Sequence, residues 1–177
     1  MGEDVGPFGK YARREAERRF LLAAEPEGLP AGAVITDRYL DGTWLRIRHV
    51  VGPDGSVAMK LGQKLRTDPG DPSTVWLTNI YLSAVEYGLL AVLPGGEVRK
   101  VRRHWETPAG RFSVDVFEGA LAGLVLAEVE CGDAGDLAGV APPPGAVADV
   151  TYDDRFSGGR LARLRSGDLA VLLAQWS

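Results

Sequence analysis

Short runs rich in Val, Ile, Leu, Trp and Tyr recur along the chain. Pro/Gly clusters separate them at 25–32, 52–55, 67–73, 94–96, 107–110 and 142–145. Runs of this length between turn signals predict an antiparallel sheet. Gly52-Pro53-Asp54-Gly55 divides TWLRIRHV from SVAMKLGQ and predicts a hairpin. Two stretches carry helical spacing instead. SAVEYGLLAVL places Ser83 and Glu86 at the spacing of a capping box. RLARLRSGDLAVLLAQW carries leucines at 161, 164, 169, 172 and 173, with Gly167 as a point of interruption. Both helices are expected to cover a sheet. KYARREAERRFLLAAE is rich in good helix formers, and Arg13–Glu17 and Glu15–Arg19 are i,i+4 pairs. Propensity alone therefore predicts a helix at the start of the chain.

Alternation along the strands sorts charge onto one face. In Trp44-Leu45-Arg46-Ile47-Arg48 a strand puts both arginines on one side, about 7 Å apart, and both aliphatics on the other. Lys60 and Lys64 share a parity in the next run, as do Lys100 and Arg102 in VRKVRRHW. Glu128 and Glu130 share a face of LVLAEVE, opposite Val125, Ala127 and Val129. Such faces are either solvated or turned into a barrel interior. Facing cations repel unless an anion lies between them, and arginine forks match phosphate oxygens. Paired carboxylates repel unless a hard cation bridges them.

Composition narrows the classes. The chain has 177 residues, enough for one core, and 45% hydrophobic with 25% charged content excludes global disorder. One cysteine, Cys131, excludes an internal disulfide framework, and two histidines exclude a His-rich metal site. No apolar run has membrane-spanning length and the N-terminus lacks a signal-peptide core, so the expectation is a single cytoplasmic domain over 1–177, with 1–10 a flexible tail. The net charge of −4 argues against non-specific nucleic-acid binding. That total hides a segregation: residues 38–111 hold 11 Lys/Arg and 7 Asp/Glu, whereas 112–154 hold 9 Asp/Glu and no Lys or Arg. A site holding a polyanion in its basic part and cations in its acidic part would use both sets.

The ordered motifs resemble the CYTH superfamily, the triphosphate tunnel metalloenzymes. EAERRFLL resembles its ExExK opening strand, which places Glu15 and Glu17 on a strand rather than a helix. RYLDGTWLRIR resembles its YL…RIR stretch, MKLGQ the following strand with its lysine at Lys60, and RKVRR the KxR strand. FSVDVFEGALAGLVLAEVE resembles the VDxFxGxLxGLxxAEVE block, with Asp115, Glu118, Gly119, Gly123, Glu128 and Glu130 in place. DVTYDDRF resembles the closing EVTxDxRY element, with Asp149, Thr151, Asp153 and Arg155 matching.

The resemblance implies a mainly β fold with some α. Its form is a closed eight-stranded antiparallel β-barrel forming a tunnel, covered by a few helices. It implies hydrolysis of tripolyphosphate or of a nucleoside or thiamine triphosphate, with Mg²⁺ or Mn²⁺. By resemblance the metal ligands are Glu15, Glu17, Glu128, Glu130 and Asp153, with Glu128 and Glu130 catalytic. The substrate-binding residues are Arg19, Arg46, Arg48, Lys60, Lys100 and Arg102. A polyphosphate- or nucleotide-binding protein impaired in catalysis is the alternative, and a class IV-type adenylate cyclase a further one. Neither nucleic acid nor membrane is expected as partner, and a homodimer is compatible. Two positions depart from the family pattern. Arg19 stands for the ExExK lysine, and 74–82 carries no charge where the family has an RxExE-like stretch. Trp76 and Tyr81 are expected to fill the space so left. His49, His104 and Glu86 read as a rim residue, a strand end and a helix cap.

Overall fold

The computed structural model describes residues 11–65, 73–131 and 137–176. The expected tail at 1–10 and most of the 67–73 turn lie outside them. The strands are β1 (Arg13–Leu22), β2 (Ala33–Leu40), β3 (Leu45–Val51), β4 (Val57–Leu65), β5 (Thr74–Tyr81), β6 (Gly95–Thr107), β7 (Gly110–Phe117), β8 (Val125–Cys131) and β9 (Ala146–Asp149). Their order is β5-β4-β3-β2-β6-β7-β8-β1, and β1 returns to β5, so eight antiparallel strands close a barrel. One edge of β1 is shared: Arg13–Ala16 pair with β5, and Phe20–Leu22 pair with β9. The predicted hairpin joins β3 to β4, with Gly55 at φ +80°.

The opening segment is a strand, against its local propensity. The reason is tertiary. Phe20 and Leu22 are buried against Val114 and Ala127 on the outer face, while Glu17 and Arg19 are buried on the inner one. Only a period of two separates these sets, so packing on both faces overrides i,i+4 pairing.

A second apolar cluster fills one end of the barrel. Leu21, Val98, Phe117 and Leu126 meet Phe156, Leu161, Leu169 and Leu172 of the C-terminal segment. The helix predicted for 160–176 is in fact two, α2 (Gly158–Leu161) and α3 (Asp168–Leu173). Gly167 divides them at φ +96°, a conformation that glycine alone adopts cheaply. The other predicted helix is α1 (Ala84–Ala91), started by a capping box between Ser83 and Glu86. It lies against β3 and β4, as expected of a covering helix, though none of its own residues is buried. Among the described residues no helix is long and apolar enough to cross a membrane.

Candidate active site

Strand parity turns the charged faces inward around a cavity of about 720 Å³. Glu15, Glu17 and Arg19 reach it from β1, Arg46 and Arg48 from β3, and Lys60 from β4. Lys100 and Arg102 reach it from β6, and Glu128 and Glu130 from β8. Ten of the eleven residues singled out by sequence thus converge. Asp153 is not among the residues that line the cavity. Its side chain caps the turn at Asp154–Phe156, accepting from the Arg155 backbone N–H, and pairs with the Arg155 guanidinium at 2.6 Å. The short turn that follows β9 holds it there.

The basic and acidic sets are interleaved, not apart. Arg19 donates from Nε to Glu128, from Nη2 to Glu17 and from Nη1 to the Phe156 carbonyl, each at 2.9 Å. An arginine can hold three such partners at once, which a lysine's single nitrogen cannot do in this spread geometry. Arg102 forks onto Asp115 at 2.6 Å and reaches Glu128 at 2.5 Å. Lys100 donates to Asp115. Arg48 forks onto Asp37 at 2.6 and 2.7 Å, and Arg46 approaches the same carboxylate at 3.5 Å. Among the described residues the buried Arg46 Nε has no hydrogen-bond partner, which leaves a donor available inside the cavity.

Protonation follows from these contacts. Burial opposes the charged forms of Asp37 and Glu128, yet Arg46 and Arg48 hold Asp37, and Arg102 and Arg19 hold Glu128, well below the usual carboxylate range. Burial pushes Lys100 down, with Asp115 opposing. Glu17 is kept ionised by Lys64 and Arg19 against its burial. Glu15 goes the other way. Burial raises it, Lys64 opposes, and the nearby Glu130 and Glu17 carboxylates raise it further. A crowded pair of carboxyls at a cavity mouth, all oxygen donors, fits a hard divalent cation. Glu15 and Glu130, with the ion-paired Glu17 and Glu128, are the residues that would hold one. Among the described residues no three such groups already converge on a point.

Three interior residues have no role assigned to them by the sequence reading. Lys64 lies 3.2 Å from Glu17 and 3.8 Å from Glu15, whereas the Lys60 ammonium stacks over the Tyr81 ring. The parity it shares with Lys60 was its signal. Asp37 and Asp115 are 1% and 0% exposed and anchor the arginines and Lys100. Asp115 stands within a recognised motif but drew no role, and Asp37 could be found only as the inward partner of Arg48 across β2–β3.

No protein-family model matches the chain. An inorganic triphosphatase of Nitrosomonas europaea is 30% identical to it over 156 residues, covering 84% of this chain and 96% of that enzyme. The chain belongs to that enzyme's family. Two crystal structures, of the hypothetical protein NE1496 and of the inorganic triphosphatase NE1496, each align with a TM-score of 0.58 and 27% identity. They cover 85% and 86% of this chain, and 99% and 97% of their own.

β5 contributes an uncharged inner face. Val75, Leu77 and Asn79 line the cavity. The two aromatics expected to fill that space do not. Trp76 has the opposite parity, facing Leu65 and Arg14 in register, and Tyr81 is 74% exposed at the strand end. His49 also points outward, its ring 5.8 Å from Tyr87 of α1, and His104 is exposed.

Proposed function

We propose that this protein is a divalent-metal-dependent phosphohydrolase of the CYTH type that acts on triphosphates inside the barrel. The observation that carries the reading is the convergence of Arg46, Arg48, Lys100 and Arg102 with Glu15, Glu17, Glu128 and Glu130 on one cavity. The 30% identity to an inorganic triphosphatase supports it. Arg46, Arg48, Lys60, Lys100 and Arg102 bind phosphate oxygens and neutralise the charge that spreads over them as the anhydride bond breaks. Arg19, saturated by its own partners, holds Glu17 and Glu128 in place. The four glutamates are the metal-binding set, and a bound Mg²⁺ or Mn²⁺ would supply further charge neutralisation and orient the phosphates. Water adds to the terminal phosphorus, the bridging P–O bond breaks, and inorganic phosphate leaves.

The test is phosphate release from tripolyphosphate with Mg²⁺ or Mn²⁺. Glu128→Ala strands two buried arginines, so Glu130→Gln, at an exposed position, is the cleaner variant. A loss of at least about tenfold in kcat/KM is expected from it, recovered in part by raising the metal concentration. Unchanged turnover in Glu130→Gln overturns the metal assignment. A second reading, binding without turnover, is favoured by the ion pairs that close Glu17 and Glu128 and by the uncharged inner face of β5. Saturable tripolyphosphate binding with no phosphate release under either metal would establish it.

A further inference from the structure

Exposed large apolar side chains are not scattered evenly over the barrel. Among the described residues twelve are exposed, and six of them fall within residues 80–93: Ile80, Tyr81, Val85, Leu89, Val92 and Leu93. Ile80 and Tyr81 end β5, and α1 with the turn that follows it carries the rest. Val85, Leu89 and Val92 stand at i, i+4 and i+7 and so form one stripe. Tyr87 lies on the opposite side of the helix, its ring 5.8 Å from His49 of β3. The stripe therefore points away from the barrel, and its three side chains are between 69% and 80% exposed. A helix that is apolar all round is normally buried. The one charge on α1 is Glu86, and its carboxylate is taken up by Ser83 in the capping box, at 2.7 Å. Eight residues are too few for a helix to stand on propensity alone. Gly88 weakens it further, and a Cβ there would meet nothing within 4 Å, so packing inside one copy does not call for glycine. Close approach of a second backbone would.

The chemistry of this face selects its occupant. Glu86 is the only charged residue in 74–96. A helix that lies on a membrane carries lysine and arginine on a polar face, and α1 has neither. A charged partner would find no complementary charge. A second copy of the chain, brought up about a twofold axis, sets the face against itself, and a face almost free of charge does not repel its own image. Polar groups lie at the rim, as in protein interfaces: Arg38 donates to the Leu93 carbonyl, and the Lys60 ammonium sits over the Tyr81 ring. Residues 66–72 and 132–136 contain no large apolar side chain to cover the face from within the chain. Each apolar side chain buried removes on the order of 100 Å² from water, so the six offer on the order of 600 Å². With the small residues between them the face approaches the ~800 Å² that each partner of a stable complex buries. We propose that α1, the end of β5 and the turn after α1 form the interface of a twofold homodimer, with Leu89 and Val85 in its apolar centre.

The experiment is sedimentation velocity of the full chain from about 1 to 100 μM, which covers the weak end of the affinities that interfaces of this size reach. It compares the wild type with Val85→Lys, Leu89→Lys and, at an exposed apolar position on α3, Val171→Lys. The wild type should sediment at twice the mass of the chain, and its Tm should rise with concentration. Each α1 substitution should weaken association by about tenfold or more and flatten the dependence of Tm on concentration. Both positions are exposed in a single copy, so an unchanged circular dichroism spectrum separates lost pairing from lost folding. Val171→Lys should pair like the wild type. A wild type that is monomeric at about 100 μM would overturn the dimer, and flotation of that monomer with phosphatidylcholine–phosphatidylglycerol vesicles would give the face to a membrane instead. Pairing of a chain that lacks residues 1–10, but not of the full chain, would overturn it in favour of the N-terminal segment as the cover. A dimer that both α1 variants leave intact would place the interface elsewhere.

Discussion

Asp37 shows how one buried carboxylate can fix two arginines. It is 1% exposed, both its oxygens face Arg48, and Arg46 lies 3.5 Å away. Removing it leaves two half-buried guanidinium groups together without the carboxylate they share, and a broken buried pair costs about 3–5 kcal/mol. Asp37→Ala should therefore lower the unfolding free energy by that amount, read from urea denaturation, or prevent folding outright. Asp37→Asn keeps the volume and isolates the charge. The arginines hold the folded-state pKa of Asp37 below its unfolded value. Its contribution is therefore complete above the unfolded pKa, about 3.9, and is lost as pH falls through the folded one. Urea midpoints measured against pH should fall below about pH 4 in the wild type and fall less steeply in Asp37→Asn. Equal slopes would mean that other carboxylates carry the acid sensitivity.

At the scale of elements, the C-terminal segment is held by apolar packing and also organises charge. Phe156 is 1% exposed, lies among Leu161, Leu169 and Leu172, and meets the Trp176 ring at 5.4 Å. Its carbonyl accepts from Arg19. Phe156→Ala should cost about 3–5 kcal/mol by cavity formation. Val171→Ala, on the exposed face of α3, should stay within about 0.5 kcal/mol, and chemical denaturation of the two variants checks the contrast. These elements were unequally legible in the sequence. The RIR, KVR and AEVE runs announce their inner faces because charge and aliphatic residues alternate there, and such alternation has one structural meaning. Residues 13–19 read as a helix because local propensity carries no information about partners two faces away. The interior of β5 was hidden for a different reason. TVWLTNIY alternates nothing, so its register, and with it the inward set Val75, Leu77 and Asn79, is fixed only by pairing with β4 and β1. Asp37 was hidden too, because a single charged residue has no periodicity of its own, whereas Lys64 shares its parity with Lys60.

For the molecule as a whole, the relevant charge is local. The chain carries −4, yet among the described residues nine cationic and six acidic side chains line the cavity. The surplus is positive within a negative molecule, and low-dielectric barrel walls keep its field inside. Packing so many ions into one interior opposes folding through desolvation, and the internal ion pairs only partly offset it. A bound polyanion supplies counter-charge to the surplus, so binding and folding are coupled. At a ligand concentration of 100 Kd, linkage adds about 2.7 kcal/mol, and for a chain of this size each kcal/mol raises Tm by about 2–4 °C. Tripolyphosphate at saturation should therefore raise Tm by about 5–10 °C, as read by differential scanning fluorimetry. Salt screens exposed charges beyond about 10 Å at 0.1 M but penetrates a lined cavity poorly. The shift should therefore survive 0.3 M NaCl in large part, whereas stabilisation by polyanions on the outer surface would vanish. A shift that disappears at this salt, or that persists in Arg46→Ala, would place the polyanion outside the barrel.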